Sequence, residues 1–200
     1  MSKLVNGVDF NDRKYLARKQ GKNYIEYDAW FGMLKRCYSS KFQLANPTYT
    51  GCSVSENFKH YSFFYEWCQE QIGFGNTSDK GKVWQLDKDL LAKDNKVYSE
   101  DTCCFVPAMV NSLLISRRAK RGDCPIGVYW DKSQSKFKSQ CNVGKSEQRM
   151  IGYFNTQEEA FQAYKKVKES YIKKVANEYK DQLDPRAYEA LINYRVEITD

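Results

Sequence analysis

Between residues 121 and 126 the hydrophobic period of this chain changes from three-and-four to two, so it reads as two units of different kind. Before the change, Ile25, Tyr27, Trp30, Met33, Leu34, Cys37 and Tyr38 recur at helical spacing and predict an amphipathic helix from Tyr24 to about Ser39. Phe58, Tyr61, Phe63, Phe64, Trp67 and Cys68 predict a second, aromatic-rich helix that packs on the same core. After the change, Ile126 to Trp130, Lys136 to Val143 and Arg149 to Phe154 read as three short strands. Thr156 with Glu159 three residues on has the form of a capping box. Behind it Ala160, Phe161, Ala163, Tyr164, Val167, Tyr171, Ile172 and Val175 form the apolar stripe of one long helix. Three strands and a helix make a complete two-layer unit.

The rest of the chain is less regular. Residues 1 to 24 are polar and read as an arm or a weak helix, and the glycine-bearing stretch 73 to 82 reads as an exposed loop. Val83 to Leu86 predicts a short strand and Cys103 to Val106 another, after which Pro107 opens a helix extending to about residue 119. Gly122 and Pro125 punctuate the linker. After Asp184-Pro185 a short helix offers Tyr188, Leu191 and Ile192 for packing, with no evident chemistry. The expected division is an arm over 1–24, a module over 25–121, a second domain over 125–179 and a helix with tail over 180–200. The expected fold class is α+β.

With 42% hydrophobic and 15% aromatic residues, both units have enough apolar mass to form cores. No stretch approaches the roughly 18 apolar residues of a membrane span, and the opening Met-Ser-Lys-Leu lacks an apolar signal segment. A cytoplasmic location without membrane partners is therefore expected. Seven scattered cysteines, at 37, 52, 68, 103, 104, 124 and 141, are an odd number outside any regular array and read as reduced thiols. No cysteine pair has the close spacing of a structural zinc site, so zinc is not expected. A formal charge of +7 attracts polyanions moderately. The cations cluster in Arg117-Arg118, Lys120-Arg121, Lys132 to Lys145 and Lys165 to Lys174, the last run reading as a solvated helix face.

In the middle of the chain, a strand ends in Leu86-Asp87-Lys88-Asp89, a loop follows, and a second strand leads into the helix bearing Asn111. Strand, loop, strand and helix is the layout of a ββα-metal nuclease site, where one divalent cation contacts the scissile phosphate while a base activates water. Asp87 and Asn111 are the candidate ligands, for Mg or Mn, and Lys88 stands where the base would be, beside Asp89. Trp30 to Tyr38, Tyr49-Thr50-Gly51-Cys52-Ser53-Val54, Leu86 to Asp89 and Tyr98 to Val106 together resemble HNH-type proteins encoded mainly by bacteriophages. The resemblance spans residues 27 to 121 and implies a metal-dependent DNA endonuclease or nickase of the homing type. It departs from the family at the base, because the chain's one histidine, His60, lies on the aromatic helix, where it reads as a surface or core residue. A lysine is protonated at neutral pH and better suited to stabilising a phosphate oxyanion than to taking a proton. Thr102 also stands where many relatives carry asparagine.

Residues 125 to 179 carry Gly127-Val128-Tyr129-Trp130, Lys136-Phe137-Lys138 and Gly152 to Ala160 with Ala163-Tyr164. This order resembles the DNA-binding domain of plant APETALA and ethylene-response-factor regulators, which implies a sheet face entering the major groove of double-stranded DNA. Strand alternation puts Tyr129 with Asp131 on one face and Val128 with Trp130 on the other; Lys136, Lys138 and Gln140 alternate with Phe137 and Ser139. The candidate DNA contacts are Arg117, Arg118, Lys120, Arg121, Lys132, Lys136, Lys138, Gln140, Lys145 and Arg149, with lysines on phosphates and Gln140 and Arg149 on base edges. Two further readings are a DNA-binding regulator that has lost cleavage and a protein-binding inhibitor on the same scaffold.

Overall fold

The computed structural model describes residues 11–114, 123–144 and 147–200. It is a mixed α+β structure with several small sheets, and it divides into two compact units, 1–108 with 182–187 and 109–181 with 188–200. The division falls after Ala108 rather than in the linker near Pro125, and a short C-terminal segment goes with the first unit.

In the first unit, α1 (Ile25–Tyr38) buries Glu26, Trp30, Met33, Leu34 and Cys37, the stripe that helical spacing dictates. Acidic residues in its first turn and Lys35 and Arg36 in its last complement the helix dipole. α2 (Ser40–Ala45) follows, capped by the Ser39 hydroxyl, which accepts from Phe42 N. The aromatic helix, α3 (Tyr61–Glu70), buries Tyr61, Phe64, Trp67 and Cys68. Trp30 donates its indole N–H to the Phe58 carbonyl at 2.8 Å, and Phe58 lies edge-on to Trp67 with ring centroids 4.8 Å apart. Each fully buried aromatic of this kind contributes on the order of 2–3 kcal/mol.

The segment before α1 is neither a free arm nor a helix over its described part. Arg18–Lys19 (β1) and Lys22–Asn23 (β2) form a minimal hairpin, and Lys14 and Tyr15 both donate to Glu66 on α3. The Tyr15 ring stacks on Tyr65 at 4.0 Å, which is what tethers so polar a segment.

β3 (Ser53–Val54) pairs in parallel with β5 (Val97–Tyr98), and β4 (Gln85–Asp87) pairs antiparallel with β6 (Cys104–Val106), Asp87 opposite Cys104. The strand expected over 83–86 thus begins two residues later and ends one later, and Val83 makes an isolated bridge to Thr77. The helix after β6, α4, is described from Ala108 to Leu113.

The second unit contains one antiparallel sheet in the order β7 (Val128–Asp131), β8 (Lys136–Asn142), β9 (Gln148–Phe154), covered on one face by α5 (Gln157–Glu178). Thr156 and Glu159 form the reciprocal capping box at the start of α5. Val128, Cys141, Ala160, Phe161 and Tyr164 are the core, joined by Val196 from the C-terminal segment after α6 (Pro185–Asn193). Gly127 sits at φ +76, and an added Cβ would lie 2.1 Å from the Tyr164 ring, so only glycine brings β7 this close to α5.

Candidate functional site

The Asp87 region is built by a tight turn. Asp87 Oδ1 accepts from the backbone N–H of Asp89 at 2.9 Å and of Leu90 at 2.7 Å, so one carboxylate oxygen is committed to the end of β4. Burial raises the Asp87 carboxyl above its ordinary value; the hydrogen bond from Leu90 N–H works against that shift without cancelling it.

Lys88 is turned inward. It is only 5% exposed, and its ammonium pairs with Asp89 Oδ1 and donates to the Asn95 carbonyl at 2.6 Å. The Tyr98 ring lies 5.6 Å from the same nitrogen. Asn95 closes the loop from its other side, donating to the Lys88 and Val97 carbonyls. Lys88, Asp89 and Asn95 together fasten the turn between β4 and β5. The expected base and its neighbour Asp89 thus both take part in this turn.

Asn111 lies on α4, in the part counted with the second unit, whereas Asp87 belongs to the first. Among the described residues there is no group of three or more His, Cys, Asp or Glu side chains that could hold a metal ion. At Asp87 one oxygen is already bonded to the turn and the adjacent lysine is turned inward, which leaves Oδ2 as the oxygen that could meet a cation. His60 is exposed, in the position just before α3. The seven cysteines are all unbridged, six of them buried, and burial pushes the Cys68, Cys103 and Cys104 thiols up, Cys103 to about 12.

The sheet of the second unit presents a different kind of surface. Residues opposite one another across an antiparallel pair share a face, so the register assigns every side chain. Tyr129, Lys138 and Tyr153 form one row across all three strands, and Asp131 with Lys136 forms the next. Gln140 stands opposite Met150, and Asn142 opposite Gln148. Tyr129 and Tyr153 are 43% and 39% exposed, so this face is open where the other carries Val128, Phe137 and Cys141 into the core.

Asp131, the one carboxylate in these rows, is occupied. Its Oδ1 accepts from the Ser133 N–H and hydroxyl and from Gln134 N–H, and Tyr153 donates to its Oδ2 at 3.2 Å. The Ser133 hydroxyl foremost holds its carboxyl below the ordinary range. No ion pair with a described residue engages Lys132, Lys136 or Lys138.

Lys136, Lys138 and Gln140 thus lie together on the open face, as alternation predicts. Arg149 does not join them. The register shifts between Ser139 and Gln140, where β9 carries one extra residue, Ile151, and the phase of β9 inverts there. Arg149 consequently pairs with buried Cys141 on the α5 side. The same bulge brings out Tyr153 and Met150, which strict alternation from Arg149 does not single out together. Trp130 lies in the inward row opposite Phe137, its ring 4.8 Å from that of Phe137, yet remains half exposed. Arg117, Arg118, Lys120, Arg121 and Lys145 lie outside the described residues.

No helix among the described residues is long and apolar enough to cross a membrane. No family model matches this chain, and no significant match was found among curated proteins or solved structures.

Proposed function

We propose that the chain is a double-stranded DNA-binding protein that grips the duplex with the open face of β7–β9. The observation that carries the reading is the middle strand, where Lys136, Lys138 and Gln140 share one face and Lys138 lies between the exposed Tyr129 and Tyr153. Lysines that form no ion pair with a described residue can supply phosphate contacts from a sheet, and the glutamine amide next along the strand can read an adenine edge. The fit to a groove is physical: a β-ribbon is narrow enough to enter the major groove, and a helix on the far side does not obstruct it.

Fluorescence anisotropy with a mixed-sequence duplex at 50 and 200 mM salt tests this. Lys136→Ala with Lys138→Ala should weaken binding and reduce the slope of log K against log salt by about 2, one unit for each lost phosphate contact. Absence of binding by the wild-type chain at the lower salt overturns the proposal.

A cleaving enzyme is the second reading, favoured by the element order β4, β6, α4 and by Asp87 Oδ2, which accepts no hydrogen bond from a described residue. The buried, doubly engaged Lys88 weighs against it. A plasmid-nicking assay with Mg or Mn, run on wild type and Asp87→Ala, separates the two. Binding without nicking supports the regulator; metal-dependent nicking lost with Asp87 supports the nuclease.

A further inference from the structure

On the other side of the same sheet, where β9 and the end of β8 meet α5, lies a cleft of about 460 Å³ lined by Val143, Glu147, Arg149, Lys166, Val167, Ser170, Tyr171 and Lys174. Its construction follows from two features already described. Lys166, Ser170 and Lys174 are four residues apart and stack along one edge of α5, with Val167 and Tyr171 one position on. Arg149 enters from the sheet because the bulge in β9 turns it to the Cys141 side. Gly144 closes the end: at φ +112 it approaches so near that an added Cβ would sit 2.5 Å from the Tyr171 hydroxyl.

Three cations face one carboxylate, Glu147, in this cleft. No described acidic group forms an ion pair with Arg149 or Lys166, and Lys174 reaches only the exposed Glu178 at 3.8 Å. A planar guanidinium, two ammonium groups and the Ser170 hydroxyl around an apolar floor are the donor set for a phosphate group attached to a body that can lie on Val143, Val167 and the Tyr171 ring. The volume falls within the roughly 300–1,000 Å³ of ordinary small-molecule sites.

We propose that this cleft is a phosphate-binding site for a ligand of about mononucleotide size. Two sources supply that chemistry, a free nucleotide and a phosphate of bound DNA. The inference does not rest on the open face reading DNA, since it uses other residues on the opposite side of the sheet.

The experiment is a titration followed by amide chemical shifts of residues 166–174 at fixed ionic strength, with a nucleoside 5′-monophosphate, the matching nucleoside, and a duplex lacking terminal phosphates. It is run on wild type, Lys166→Gln, and Arg149→Gln combined with Lys166→Gln. The monophosphate should shift these amides and the nucleoside should not, with affinity falling about tenfold or more in the double variant, as expected for a lost charge-assisted contact. If only the duplex perturbs them, and the double variant alone loses that response, the phosphate is that of DNA. Equal response to the nucleoside, unchanged affinity in a folded double variant, or no response to either phosphate source overturns the proposal. Loss of duplex binding in Lys136→Ala with Lys138→Ala, with this cleft still responsive to the monophosphate, would keep the two sites apart.

Discussion

Asp87 is held in a place that favours its neutral form. Its carboxyl is raised above the unfolded value by burial, so the folded state binds a proton more tightly than the unfolded one. The stability this group contributes is complete below the unfolded value, near 3.8, and is lost as pH rises through the folded value. Asp87→Asn keeps an oxygen for the Asp89 and Leu90 amides and has no charge to bury. The variant should therefore resist urea better than wild type at pH 7, with the advantage vanishing towards pH 4; equal midpoints at both pH values would contradict the assignment. Because burial outweighs the attraction of Lys88 and makes this carboxylate cost stability when ionised, Asp87→Asn reads out stability and, in the nicking assay, cleavage. Lys88 illustrates the opposite lesson. Beside Asp87 in sequence it has the look of a reactive group, yet its ammonium is taken up by Asp89 and the Asn95 carbonyl.

Among the elements, α5 is the one whose local sequence most completely explains it. Its capping box satisfies N–H groups at the first turn, with Glu158 and Glu159 favourably placed at the positive end of the dipole. Thr156→Ala should destabilise the second unit by about 1 kcal/mol, seen as faster amide exchange along β8 and the first turns of α5. Unchanged exchange there would mean that packing against β8, not the cap, holds the helix start. The three strands were equally visible as alternating runs, but the faces of β9 were not. One extra residue, Ile151, inverts the phase, and no local property of Arg149 or Tyr153 announces on which side each emerges. Short elements were legible least: β3 and β5 are two-residue strands in parallel, and parallel partners distant in sequence leave no local period.

At the scale of the molecule, the C-terminal segment is structural in both units. Residues 182–187 go with the first, where Asp184 is buried and pairs with Arg186, whose guanidinium reaches the Asp101 carbonyl at 3.4 Å. In the second, Val196 is buried in the core, its N–H donates to Glu169 at 2.9 Å, and its carbonyl accepts from Lys165 at 2.6 Å. Ending the chain at Asn193 should cost the second unit about 3–6 kcal/mol, from the buried Val196 side chain and two hydrogen bonds, with the packing of Tyr194 lost as well. Hydrogen exchange checks it: β7–β9 should lose protection while α1 and α3 keep theirs. Retained protection in the sheet would show that the tail is dispensable.

From the sequence alone came the change of period that separates two kinds of unit, the long helices, the capping box and the cationic middle strand, because each depends on residues a few positions apart. Tertiary structure alone decided which side Arg149 faces, that Lys88 is enclosed, and that Val196 completes a core begun at Val128. These depend on register, burial and contacts between distant segments, which are set by how whole elements pack rather than by any local pattern.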